Sequence, residues 1–292
     1  MSTKTPYTIR IIVADGDPDG LKIVERGNWN GKALMFPRTL YSQIRNREEF
    51  KSPGVYLLIG KDINEDVDTL YIGEGDPVGP RLEQHNHTID FWTKAVFFVS
   101  STRKLNKAHV QYLEAQLIKI ARAANRIPLK NRNNPSEPTL DEAEYADIGI
   151  FLHHLLELLP VLGIQAFDQI PNQPPNGTDQ LLTCKGRGVS AKGYDTTQGF
   201  IVQTGSYAAG DEIPLLQTRY PHVSKLRANL LENGILLLEG NKMRFTKNYP
   251  FNSPSLASAV ILGRSSNGRT DWKDKNGRTL KQIQEEQENP TS

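Results

Sequence analysis

Residues 54–73 read Gly54-Val-Tyr56-Leu-Leu-Ile-Gly60-Lys-Asp-Ile-Asn-Glu-Asp-Val-Asp68-Thr-Leu70-Tyr71-Ile-Gly73. Two runs rich in β-branched, aliphatic and aromatic side chains, 55–59 and 69–72, flank a polar stretch at 60–68. Side chains of the first kind fit a pleated, half-buried surface and the second kind fits a turn, so the pattern predicts a β-hairpin. Side chains alternate between the two faces of a strand, and with a suitable register Tyr56 and Tyr71 present their hydroxyls to the same face.

Downstream, Pro80 is expected at the first position of a short helix carrying Arg81, Leu82 and His85. Arg81 and His85, four residues apart, would project from one side of it. Residues 94–100 predict a further strand. Between Asn106 and Asn125 the apolar positions Val110, Leu113, Leu117, Ile120, Ala121 and Ala124 have the spacing of an amphipathic helix of about five turns. Glu114 falls on the border of that apolar stripe, where a carboxylate is costly unless something positive meets it. Pro128 and Pro135 close this segment.

Upstream, 7–13 and 21–24 predict a hairpin about the turn Asp15-Gly-Asp17-Pro-Asp19-Gly20, followed by a third strand within 28–37 and a short helix within 40–50. The turn imitates the start of an EF-hand calcium loop. Its glutamate, Glu25, stands one position early, Arg26 fills the twelfth place and strands flank it, so a plain turn is expected. Beyond the central segment, 140–163 predicts a helix and the Pro- and Asn-rich 171–177 a linker, with 186–193 irregular. A strand at 199–204, a helix at 223–233, a hairpin at 235–246 and a helix capped by Ser253 and ended by Gly263 make a last compact module.

The fold expected is α+β, in five segments: an N-terminal β-hairpin extension at 1–50, a small sheet flanked by helices at 51–135, an acidic helix and linker at 136–190, a separate small α+β module at 191–284 and a disordered tail at 285–292. A chain of 292 residues with 37% hydrophobic and 23% charged residues is long enough for two buried cores. No run reaches the ~20 apolar residues of a membrane span; the nearest, 148–164, contains His153, His154, Glu157 and Pro160. With no signal-like apolar stretch at the start and Cys184 as the only cysteine, a cytoplasmic protein without disulfides or multi-cysteine zinc is expected.

Net charge is only +2, but it is segregated. From 101 to 135 the charges are Arg103, Lys104, Lys107, Lys119, Arg122, Arg126, Lys130 and Arg132 against Glu114 alone, whereas 139–170 holds six acids and no lysine or arginine. Such a basic run is a solvated helix face or a nucleic-acid contact. Two other features lead nowhere: His153-His154 lacks a cysteine or third histidine nearby, and 188–193 lacks the Gly-Lys-Ser/Thr order of a phosphate-binding loop.

Gly54-Val-Tyr56, Leu70-Tyr71-Ile-Gly73, Arg81, His85, Glu114 and Asn131, in that order over about 80 residues, resemble the GIY-YIG endonuclease superfamily. The resemblance implies a metal-dependent endonuclease acting on DNA. Glu114 would be the only protein ligand of a divalent cation, Mg²⁺ or Mn²⁺, with Arg81 as a phosphoryl clamp and His85 as a proton relay. Tyr71 is the better candidate to activate water and Tyr56 to orient it, although either phenol would serve as the base. Asn131 would fix the active-site loop or contact the scissile phosphate. One departure from the commonest pattern is Glu74, directly after Gly73, where small or basic residues are more usual. This points to an unusual metal environment or a weak enzyme.

The last module, through Gly199-Phe-Ile-Val-Gln-Thr-Gly-Ser206, 251–259 and Gly263-Arg-Ser-Ser-Asn-Gly268 with Trp272, resembles an uncharacterised domain appended to such nucleases. Arg264 and Arg269 give its end a basic character, and with Lys104, Lys107, Lys130 and Arg132 they are the expected nucleic-acid contacts. The alternative is a non-catalytic nucleic-acid-binding protein on the same fold; a docking scaffold built on the acidic helix leaves the tyrosine pair unexplained.

Overall fold

The structure, a computed structural model, describes residues 6–61, 68–102, 104–133, 135–168, 174, 180–196 and 199–288. The chain divides into two compact units, 1–169 and 170–292. The fold is α+β, with an N-terminal sheet and a separate C-terminal domain, as expected.

In the first unit one antiparallel sheet has the order β1-β2-β3-β6-β4-β5. Its strands are β1 Ile9–Val13, β2 Lys22–Arg26, β3 Gly31–Pro37, β4 Gly54–Lys61, β5 Asp68–Gly75 and β6 Trp92–Ser100. The N-terminal hairpin is therefore part of the central sheet, because β3 pairs with β6 from Gly31 opposite Ser100 to Pro37 opposite Lys94. Its turn uses its own carboxylate: Asp15 accepts from the N–H groups of Asp17 at 3.2 Å and Leu21 at 3.1 Å.

Alternation along the strands sorts side chains between two cores. On one face Val55, Leu57, Leu70 and Ile72 pack with Val110, Leu113 and Leu117 of one helix and Ile148, Phe151 and Leu155 of another. On the other, Tyr56, Leu58, Phe97 and Trp92 pack with Tyr41, Phe50, Val78 and Leu82. The helices are α1 Tyr41–Ile44, α2 Val78–Thr88, α3 Lys107–Ala124 and α4 Glu142–Val161. The Asn106 side chain caps α3 by accepting from His109 N–H at 2.9 Å, and Asn125 ends it in the left-handed region at φ 47°. A reciprocal capping box of Asp141 and Glu144 opens α4. Because α4 shares its core with α3 and the sheet, the segments read as 1–50, 51–135 and the acidic helix fold as one body.

Two local expectations change. Helix α2 starts at Val78, so Pro80 is its third residue, still within the first turn, where backbone N–H groups lack intrahelical partners. The helix expected within 40–50 is split: 3-10 turns at Arg38–Leu40 and Glu48–Lys51 flank the single turn of α1.

The second unit has two antiparallel sheets, β13-β9-β8-β7-β14 and β10-β12-β11. These are β7 Leu182–Gly186, β8 Val189–Thr196, β9 Gly199–Val202, β10 Tyr207–Ala209, β11 Leu236–Glu239, β12 Lys242–Phe245, β13 Tyr249–Phe251 and β14 Trp272–Lys273. Helices α5 Pro214–Arg219, α6 Pro221–Glu232, α7 Pro254–Leu262, α8 Gly268–Asp271 and α9 Leu280–Glu288 complete it, and the apolar α7 runs through its core. The stretch 186–193, read as irregular, is instead a tight hairpin turning at Arg187 and Gly188, both with positive φ of 49° and 75°. Residues 285–288, read as disordered tail, belong to α9; 289–292 lie outside the described residues. So does the expected linker, apart from residue 174. Among the described residues no helix is long and apolar enough to cross a membrane.

Candidate active site

The β4–β5 register sets the site. Leu58 pairs with Tyr71 and Tyr56 with Gly73, which makes the two tyrosines diagonal neighbours on one face, with ring centroids 6.4 Å apart. The Tyr56 ring lies directly over Gly73, and a Cβ there would collide with its hydroxyl. Glycine is therefore required for the close approach of ring to strand.

Helix α2 buries Val78, Leu82 and His85 against this face. The His85 ring stands edge-on to both tyrosines, 5.7 Å from Tyr56 and 4.9 Å from Tyr71. The Tyr56 hydroxyl is 2.7 Å from His85 Nδ1. Burial, with the Arg81 charge second, lowers the His85 pKa to about 4, so the ring is neutral at pH 7. Burial first, and the neighbouring Tyr71 second, push the Tyr56 phenol far up. With the phenol protonated and the ring neutral, a single proton lies between the Tyr56 oxygen and His85 Nδ1: the phenol donates it in the tautomer protonated on Nε2, and the ring donates it in the tautomer protonated on Nδ1.

Tyr71 is only half-buried. Burial raises its pKa, Arg81 opposes that through charge and hydrogen bonding, and Glu114 adds to it. Arg81, one turn before His85, is exposed and donates to the Gln84 amide oxygen at 2.6 Å.

A cleft of about 450 Å³ opens where α2, β5 and α3 converge, lined among others by Glu74, Asp76, Arg81, Gln84, Lys107 and Glu114. Burial, then repulsion from Glu74, raises the Glu114 pKa to about 7, with Arg81 and Lys107 opposing. Lys107, in the first turn of α3, donates to Glu74 Oε1 at 2.5 Å. Glu74 Oε2 is sealed from solvent with no hydrogen-bond partner among the described residues.

Asn131 does not line the cleft. Its side chain binds the backbone of β5 at both ends: Oδ1 accepts from Ile72 N–H at 2.9 Å and Nδ2 donates to Ile72 C=O at 2.7 Å. Leu129 also bridges to Leu70 in parallel, and Lys130 N–H donates to Leu70 C=O at 2.8 Å. The segment after α3 thus continues the sheet beyond β5, and the Asn131 amide ties that segment to strand β5 rather than holding a loop of the active site.

Of the expected nucleic-acid contacts, Lys104, Lys130 and Arg132 are exposed on the first unit, while Lys107 is committed to Glu74. In the second unit Arg269 is exposed, and Arg264 pairs with Asp271 at 3.6 Å. Sequence reasoning missed the Glu74–Lys107 pair and Gln84; the unusual glutamate after Gly73 was the one available signal. His153, His154 and Glu157 bring ligating atoms within 4.8 Å of one another, but the Arg26 guanidinium already holds Glu157 at 3.0 Å.

No curated protein and no solved structure matches the chain. Residues 182–284, roughly a third of the chain and none of the cleft residues, match the family described as a domain of unknown function (DUF4357).

Proposed function

We propose that the first unit is a metal-dependent endonuclease that hydrolyses phosphodiester bonds in DNA, with its active site in the cleft between α2, β5 and α3. The observation that carries this reading is that Tyr56, Tyr71 and His85 pack against one another within electrostatic reach of Arg81 and Glu114, which line the polar cleft, the five residues coming from four elements. A hydrolase of this kind needs a group that receives a proton from water, cationic donors for the phosphoryl oxygens and stabilisation of the leaving oxygen.

The cleft residues fit a divalent cation. Glu114 is a half-buried carboxyl pressed toward protonation by burial and by Glu74, and a cation would favour its charged form. A bound Mg²⁺ or Mn²⁺ supplies Lewis acidity toward the phosphate. Tyr71, half-exposed and beside Arg81, is the candidate to take the proton of an attacking water; burial and Glu114 hold its pKa up in the metal-free protein, and a bound cation together with the Arg81 charge would favour the phenolate this role needs. Tyr56, fixed by its hydrogen bond with His85 Nδ1, is the candidate to orient that water. Arg81, exposed on the rim, offers the planar fork that suits two phosphoryl oxygens.

The test is cleavage by the full chain, with Mg²⁺ or Mn²⁺, of single-stranded, duplex, branched and methylated DNA. Glu114→Gln should lower turnover by about two orders of magnitude or more, with DNA binding retained or tightened because a carboxylate facing phosphate is gone. A folded Glu114→Gln protein that cuts at the wild-type rate removes this residue from the active site. Wild-type protein that leaves every substrate intact while binding DNA would make the chain a non-catalytic binding protein.

A further inference from the structure

Glu74 is a carboxylate of the cleft to which the proposed reaction gives no role, and its environment is unusual. It follows Leu70 and Ile72 on the α3-facing side of β5, so strand alternation turns it toward α3 and away from the tyrosines. Its side chain is 13% exposed. One oxygen is bound by Lys107, and the other has neither solvent nor donor among the described residues. Leaving a charged oxygen in that state costs more than leaving a neutral one. The neighbouring carboxyl does not relieve it, because Glu114 lines the same cleft and the two repel.

Three carboxylates, Glu74, Asp76 and Glu114, against two cations, Arg81 and Lys107, leave the cleft with a deficit of positive charge, which a small, hard cation meets with oxygen ligands. Mg²⁺ and Mn²⁺ sites beside phosphate use one or two carboxylates and keep several waters, so a two-carboxylate seat falls within their ordinary chemistry.

We propose that Glu74 is a second carboxylate ligand, forming with Glu114 a shared seat for the divalent cation, and that Lys107 is the resident counter-ion the cation displaces. This deepens the nuclease reading above and rests on it for the place of the cation. Once displaced, Lys107 is an exposed cation in the first turn of α3, free to meet a phosphate.

Mn²⁺ binding to the full-length protein without DNA, followed by the electron paramagnetic resonance signal of free Mn²⁺ and by calorimetry at pH 8, tests the seat independently of cleavage. Glu74→Gln and Glu114→Gln should each weaken Mn²⁺ by about tenfold or more, and Lys107→Met should tighten it several-fold, because the competing ammonium is gone. Circular dichroism establishes that each variant is folded. Lys107 is exposed at a helix start, so its variant reports even if Glu74→Gln does not fold. Wild-type affinity in Glu74→Gln alongside a loss in Glu114→Gln would leave Glu114 as sole ligand and overturn the proposal. Unchanged affinity in Lys107→Met would overturn the displacement. Mn²⁺ bound by both carboxylates in a protein that cuts no DNA would uphold the seat and sink the nuclease reading; DNA cleavage with Glu74→Gln at wild-type Mn²⁺ affinity would do the reverse.

Discussion

Burial of ionisable side chains dominates the site at the residue scale, and two of them titrate in opposite senses. His85 has a folded pKa near 4, below its ordinary 6.5. Its neutral form therefore contributes stability above about pH 6.5 that is lost as pH falls toward 4. Glu114 has a folded pKa near 7, above its ordinary 4.5. Its protonated form contributes stability below about pH 4.5 that is lost as pH rises toward 7. In metal-free protein the two contributions offset each other over this window. We therefore expect Glu114→Gln to lose stability more steeply than wild type on acidification from pH 7 to 4.5, and His85→Gln to gain it, with differences on the order of 2–3 kcal/mol. Chemical denaturation across that range is the measurement, and parallel curves for all three proteins would show that neither group is as strongly shifted as its burial implies. The tyrosines, Arg81, His85 and Glu114 were all legible in sequence. The protonation states were not, because they depend on how much water each group loses in the fold.

At the scale of elements, β5 is the piece the site depends on, carrying Tyr71 on one face and Glu74 on the other. It would be an exposed edge strand but for the segment around Leu129, held by the Asn131 amide. Asn131→Leu leaves the Ile72 N–H and C=O without those partners, and the loss should cost about 1–3 kcal/mol. Cleavage should fall with it through displacement of Tyr71. A variant with wild-type melting temperature and lost cleavage would instead put Asn131 on the substrate. Periodicity predicted α3 to within one residue at each end because its caps, Asn106 and Asn125, are themselves sequence signals. It misplaced Pro80, since proline suits any position in a first helical turn, and it missed the turn at Arg187, since arginine is uncommon in the left-handed conformation.

For the whole molecule, the two units have separate hydrophobic cores, those of the first on the two faces of its sheet and that of the second around α7. Residues 1–169 should therefore fold without the rest. If the second unit targets DNA, this fragment should retain residual Mn²⁺-dependent cleavage but bind duplex DNA more weakly, by about tenfold if several cationic contacts are lost. Unchanged affinity and cut-site choice would remove the targeting role, and exposed Arg269 is the residue to substitute first if it holds.

Local order in the chain was enough for most strands and helices, the tyrosine hairpin, the capped helices and the choice of Arg81 and Glu114 in the cleft, because each is written in spacing, in a motif or in a cap a few residues long. Tertiary structure alone decided that the N-terminal hairpin joins the central sheet and that the acidic helix closes its core, since pairings such as Gly31 with Ser100 link residues far apart in sequence. It also decided the pairing of Lys107 with Glu74 and the commitment of Asn131 to Ile72. A charge on a helix and a charge on a strand have no fixed spacing, so only packing α3 against β5 brings them together.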